Sequence, residues 1–243
     1  MKGEYIMVYE DMPVIKSWDE LGFTDDYMFK LVLSKHPKLI IKLLEIILQV
    51  KVREIRFKET EKQIKNSYEG HGIRFDLYVE DENNTVYDIE MQTGYYSSLR
   101  LAKRMRFYQG AFDVDDLAAG EDYISLKKSI IIFLCPFKFL DGRRCIYTFQ
   151  NYCLEDDEPI FLDDGTTKLF LNTAAETLDG LDGELRLFYD YVRGQPAQTT
   201  FTRELDKTIS RMKQEKEERN MYLTYSSRMM ECRRDGYEEG LFT

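Results

Sequence analysis

Residues 73–92 read IRFDLYVEDENNTVYDIEMQ. The first eight alternate strictly, with Ile73, Phe75, Leu77 and Val79 on one face and Arg74, Asp76, Tyr78 and Glu80 on the other. Residues 85–92 alternate again: Tyr87, Ile89 and Met91 share one face, Asp88, Glu90 and Gln92 the other. A period of two is the periodicity of a strand, and the turn-forming DENN at 81–84 joins the two runs into a β-hairpin. Residues directly opposite in a hairpin share a face. A four-residue loop at 81–84 sets Asp76 opposite Ile89. Asp76 and Glu90 converge only if the loop has three or five residues, or if a bulge intervenes. The pattern therefore leaves two readings. Alternating acids are the usual dress of a solvated sheet face. Converging, Asp76 and Glu90 make a hard oxygen site that suits Mg2+ or Mn2+. The chemistry that uses such a site is phosphodiester hydrolysis, with Gln92 placed to orient the water or a phosphate oxygen.

Outward from the hairpin, the chain alternates between helical and extended patterns. On the N-terminal side, Phe29, Val32, Leu33, Leu39, Ile40, Leu43, Leu44 and Ile47 recur at helical spacing. Pro37 divides them into expected helices at 24–35 and 37–49, with Thr24 as N-cap and Phe23 and Met28 as a hydrophobic staple. Residues 51–60 alternate as a strand, and the polar stretch that follows carries turn chemistry at Gly70 and Gly72. On the C-terminal side, 97–113 reads as a helix with an apolar stripe of Leu101, Met105, Tyr108 and Phe112 flanked by Arg100, Lys103, Arg104 and Arg106. SIIIFLC at 129–135 is a continuous apolar run, the pattern of a strand covered on both faces. Further strands are expected at 145–153 and 167–172, a helix at 182–193, and one long charged helix over 201–235.

The chain has 243 residues, enough for one large domain or a domain with an appendage. Hydrophobic residues at 43% exclude wholesale disorder. No apolar run reaches 18 residues, so no membrane span is expected. MKGEYIMVYEDMP lacks the apolar core of a secretory leader, which points to the cytoplasm. Cys135, Cys145, Cys153 and Cys232 form no C-x-x-C pair and lie far from His36 and His71, so neither a zinc site nor Cys-His or Ser-His catalysis is expected. Carboxylates, Lys and Arg are left to carry any chemistry. A formal charge of −10 argues against nonspecific coating of nucleic acid. It leaves room for a local basic patch that grips phosphate.

Four ordered segments carry a resemblance: FTDDYMFKLVL at 23–33, RFDLYVEDENNTVYDIEMQ at 74–92, RLAKRMRFYQGAF at 100–112 and GEDYISLKKSIIIFL at 120–134. With them the chain resembles the PD-(D/E)XK nuclease superfamily, and within it the bacterial recombination-promoting nuclease and transposase family, over about residues 20–240. The resemblance implies an α/β (α+β) fold with a restriction-endonuclease-like core, a mixed central sheet flanked by helices, and a C-terminal helical extension. It implies an arm at 1–20, the nuclease-like domain at 21–195 and the extension at 196–243. It further implies a Mg2+- or Mn2+-dependent endonuclease acting on DNA, tied to recombination or mobile elements. Asp76 and Glu90 are then the metal-binding carboxylates and Gln92 the third catalytic position. Arg104, Lys103, Lys30 and Arg100 are the expected nucleic-acid contacts, with Asp26, Glu45 and Tyr108 as further site positions.

Gln92 stands where the superfamily signature has Lys. Lys brings positive charge to the transition state and Gln only a dipole, which implies weak activity leaning on the metal and on Arg104 or Lys30. The alternative is a catalytically weak or inactive nuclease-fold protein that binds nucleic acid or assembles with itself through the charged segment at 201–235. Chains of this family often run on into Gly/Glu-rich helical repeats, so the ending GYEEGLFT leaves truncation of the C-terminus open.

Overall fold

The computed structural model describes residues 15–59, 63–64, 73–74, 76–94, 97–155, 158–181 and 183–241. The hairpin is its organising element. Strand β4 (Leu77–Asp81) pairs antiparallel with β5 (Val86–Met91), and the pairs run Leu77 to Ile89, Tyr78 to Asp88, Val79 to Tyr87 and Glu80 to Val86. The loop is one residue shorter than the sequence suggests. Asp81 and Thr85 close the ladder, the Asp81 N–H donating to the Thr85 carbonyl at 3.0 Å, which leaves Glu82–Asn84 as a three-residue loop. Asn84 makes this possible by adopting a left-handed backbone (φ 60°), the conformation such loops need. Continued one step past Leu77 and Ile89, the register brings Asp76 opposite Glu90, and the Met91 N–H donates to Asp76 Oδ2 at 3.3 Å.

The hairpin lies inside a six-stranded sheet of order β1-β4-β5-β6-β8-β7. β1 (Ile55–Glu59) is antiparallel to β4; β6 (Ser129–Cys135) is parallel to β5 and to β8 (Thr166–Asn172); β7 (Ile146–Phe149) is antiparallel to β8 at the far edge. All seven residues of β6 are buried, as the apolar run requires of a strand with neighbours and cover on both sides. The expected strand at 73–80 is divided: Ile73–Arg74 (β3) pairs with Gln63–Ile64 (β2) in a separate two-stranded sheet. Phe75 and the turn expected around Gly70 and Gly72 lie outside the described residues.

Helix α3 (Ser98–Asp116) connects β5 to β6 and covers the sheet face that carries Tyr78 and Val86. Its stripe of Leu101, Met105, Tyr108 and Phe112 packs there with Ile131, Phe133 and Phe170, and the Tyr78 and Phe112 rings stack at 4.9 Å. The polar parity of the hairpin is therefore a buried face beneath a helix and not a solvated one, because α3 supplies an apolar cover. Helix α1 (Asp26–Lys35) lies against β4, followed by α2 (Pro37–Leu48) with Pro37 in its first turn, where a missing N–H is harmless. The N-cap of α1 is Asp25 and not Thr24; the Asp25 carboxylate accepts from the Gly22 N–H at 2.8 Å and closes the turn that leads into the helix.

Helix α4 (Gly183–Val192) follows the sheet, and the expected single helix over 201–235 is two: α5 (Thr200–Lys213) and α6 (Lys216–Leu241). No Gly or Pro breaks the run. The Lys213 carbonyl accepts from the Trp18 indole at 3.0 Å, and the N–H groups of Gln214 and Glu215 turn back to Arg211 and Met212. A tertiary contact thus ends α5 where local sequence does not. Residues Gly22–Ser210 form one compact unit. The described parts of the flanking segments form another, in which Trp18 packs on Tyr222 with ring centroids 5.6 Å apart. Among the described residues no helix is long and apolar enough to cross a membrane.

Candidate active site

The acids that the sequence singles out meet at the open end of the hairpin. Asp76 precedes β4. Glu90 sits near the end of β5, and Gln92 follows it, anchored by its N–H donating to the Leu134 carbonyl at 2.9 Å. This is the carboxyl end of two parallel strands, β5 and β6, the usual place for a site in such sheets. Asp76 is 8% exposed, Gln92 2% and Glu90 0%, so little water is left to solvate their charge.

Two cations reach the acids from opposite elements. From α1, Lys30 Nζ lies 2.8 Å from Asp76 and 2.9 Å from Asp26. From α3, Arg104 Nη2 donates to Glu90 Oε2 at 2.9 Å, Nη1 to Gln92 Oε1 at 3.1 Å and Nε to the Tyr108 hydroxyl at 2.8 Å. Gln92 Nε2 closes the circuit by donating to Glu90 Oε2 at 3.0 Å. The Gln92 amide is thus held at both ends. Arg104 has five N–H donors and commits three, keeping two for an incoming anion.

Burial dominates the electrostatics. It pushes the Asp76 carboxyl up to about 6, against the pull of Lys30. Burial and then repulsion from Asp76 push Glu90 up to about 8, although Arg104 favours its charged form. Lys30 is itself desolvated, but Asp76 and Asp26 outweigh that and raise its pKa.

Glu45 does not join this group by any hydrogen bond or ion pair among the described residues; on α2 it pairs with Lys51 at 3.6 Å. Arg100, Lys103, Arg106 and Phe107 are exposed on α3, Arg100 and Phe107 about one helical turn from Arg104. The sequence pattern passes over Asp88. It is 0% exposed, and burial followed by repulsion from Glu90 and Asp76 pushes its carboxyl well above the ordinary range. The signal was present in its shared parity with Glu90, but alternating acids also describe a wet surface.

As placed, no three His, Cys, Asp or Glu side chains among the described residues gather closely enough to hold a metal ion. The donor set nevertheless fits a hard divalent cation. Glu90 Oε1 and both oxygens of Asp88 are buried and without a hydrogen-bond partner. Buried polar atoms without partners are uncommon in proteins and call for an explanation. Asp76 and Glu90 are the residues that would hold such an ion.

A mixed six-stranded sheet with an antiparallel acidic hairpin, a parallel strand beside it and helices packed on it defines an α/β protein of the restriction-endonuclease-like type. The chain belongs to the PD-(D/E)XK nuclease family transposases, whose family model matches residues 23–235. No curated protein and no solved structure matches it.

Proposed function

We propose that this protein is a divalent-metal-dependent endonuclease that hydrolyses DNA phosphodiester bonds in a setting of recombination or mobile elements. The observation that carries the reading is the opposed pair Asp76 and Glu90, buried at the carboxyl end of β5, with Glu90 Oε1 left unpartnered. Asp76 and Glu90 would hold Mg2+ or Mn2+, which would supply Lewis acidity and lower the pKa of a bound water towards neutrality. Gln92, pinned between Arg104 and Glu90, positions the attacking water but takes no proton. Arg104 spends its two remaining donors on the phosphate, and its planar fork suits that anion better than a lysine would. Lys30 fixes Asp76, while Arg100, Lys103 and Arg106 on the exposed side of α3 meet the backbone of the nucleic acid.

A second reading, a nuclease-fold module that binds nucleic acid without cutting it, draws on Gln92, whose amide brings no charge to the phosphate. Incubation of supercoiled plasmid with Mg2+, Mn2+ or EDTA separates the two. The nuclease nicks only with metal. Asp76→Ala and Glu90→Ala each lower the rate by roughly 10³ while circular dichroism stays unchanged. Cleavage that survives both substitutions places the site elsewhere. Folded wild-type protein that never cleaves leaves the binding module standing.

A further inference from the structure

We propose that the exposed side of α3 is a track for an unpaired DNA strand, on which Phe107 stacks against a base next to the phosphate that Arg104 holds. The inference rests on the nucleic-acid reading given above and deepens it by naming the substrate: DNA with unpaired bases in preference to intact duplex.

Phe107 is 48% exposed in the middle of a helix whose other side is packed on the sheet. An exposed ring by itself is ordinary on a protein surface. Its setting is what points to a ligand. Arg100, Lys103, Phe107 and Gly110 recur at spacings of three and four, so they share one side of α3, and all are exposed. Arg106 adjoins Phe107 in sequence and is exposed as well. Other exposed rings have the opposite surroundings: Tyr123 follows Glu121 and Asp122, and Phe161 shortly precedes Asp163 and Asp164. Acids of that kind repel a phosphate chain. A ring set among cations is instead the combination that single-strand binding uses, in which the cations follow the phosphates and the ring takes a base.

Gly110 is an independent observation. It lies inside α3, where glycine is less favourable than alanine. Neither of the usual reasons for glycine applies: its backbone is not left-handed, and a Cβ there would meet nothing within 4 Å. The missing side chain leaves bare surface one turn from Phe107, room that a flat base beside the ring can use. The helix rises by about 4.5 Å from Arg104 to Phe107. A base on Phe107 therefore belongs to a nucleotide neighbouring the one whose phosphate meets Arg104, which in turn reaches Glu90 and Gln92. In duplex DNA each base face is covered by its neighbours in the stack, so a protein ring takes a base only where the strand is unpaired or the base is extruded.

Fluorescence anisotropy of the full-length protein in EDTA, with a short labelled DNA single strand and with the duplex of the same sequence, tests this without reference to cleavage. Wild type is expected to bind the single strand more tightly than the duplex. Phe107→Ala lowers single-strand affinity by about 5- to 100-fold, the worth of one stacked base. Phe107→Leu keeps apolar bulk without an aromatic face and loses affinity in the same way, whereas Phe107→Trp retains it. Gly110→Gln covers the bare surface and weakens the single strand, yet melts no lower than wild type. Duplex affinity stays unchanged in all of these variants. Phe107→Trp also adds a second indole to the lone Trp18, and its emission falls as single strand is added, which a ring with only a packing role would not show. Phe107→Leu binding as wild type does, or equal losses on single strand and duplex, overturns the stacking role and leaves the nuclease reading intact. A wild type that prefers the duplex, or that binds neither probe, overturns the track. Plasmid incubation decides the nuclease reading separately: no cleavage, with single-strand binding still lost in Phe107→Ala, overturns the nuclease and upholds the track.

Discussion

The two ends of the β4–β5 hairpin are built from the same residue types and put them to opposite use. At the turn end every buried carboxylate is satisfied: Asp81 takes three hydrogen bonds and Glu80 takes Lys127, which also pairs with Asp116. Towards the open end Asp88 and Glu90 leave three buried oxygens unpartnered between them. Burying a polar atom without a partner is destabilising. The turn end therefore contributes to folding and sets the register. The open end holds unpartnered buried acceptors that folding alone would not select, and that a bound cation would satisfy. The register is the link between the ends, since the three-residue loop closed by Asp81 is what brings Asp76 opposite Glu90.

If this division holds, substitutions at the two ends dissociate activity from stability. Glu90→Gln has the largest expected effect. The cleavage rate falls by roughly 10³, about 4 kcal/mol in the barrier, while the metal-free protein melts no lower than wild type because a repelled, buried carboxylate has gone. Loss of stability together with activity would break the comparison. It would mean that the Glu90–Arg104 pair is chiefly a structural tie. At the other end, Asp81→Ala is expected to lower stability in urea unfolding by about 2–3 kcal/mol, because two N–H groups and a buried hydroxyl lose their acceptor. Cleavage per folded molecule and Mn2+ affinity stay unchanged. A drop in Mn2+ affinity would show that the loop closure also tunes the site through the register.

Much of this arrangement is legible in the residues, and what is not has identifiable causes. Alternation reveals the hairpin, the helical stripe of α3 and the buried β6 because one-dimensional periodicity maps directly onto those elements. The face-to-face placement of Asp76 and Glu90 is not decided by it. It turns on whether Asp81 and Thr85 belong to the loop or the ladder, and the left-handed backbone of Asn84 and the side-chain bonds to Asp81 settle that. Asp88 escapes for a related reason: an acid alternating with apolar residues looks the same whether water or α3 covers it. The break between α5 and α6 depends on Trp18 reaching the Lys213 carbonyl, a contact across nearly two hundred residues of sequence. Glu45, a further site position by resemblance, pairs with Lys51 just beyond its helix.

The smallest expected effect concerns pH in the absence of metal. Asp76 and Glu90 carry pKa values of about 6 and about 8 in the folded protein, above the ordinary 3.8 and 4.5. The folded state then holds protons that the unfolded chain has already released, and stability falls with pH wherever that is so. The contribution is fully present below the ordinary carboxylate range and is lost as pH rises through 6 and then through 8. Melting temperature in EDTA is accordingly expected to fall between pH 5 and pH 8.5, as burial penalises each carboxylate on ionising and Lys30 and Arg104 only partly offset that. Glu90→Gln flattens the upper part of that decline, and saturating Mn2+ flattens all of it, because the cation takes the place of the protons. A melting temperature in EDTA that stays level or rises over this range means that Lys30 and Arg104 already keep both acids ionised. The open end of the hairpin would then be as well satisfied as the turn.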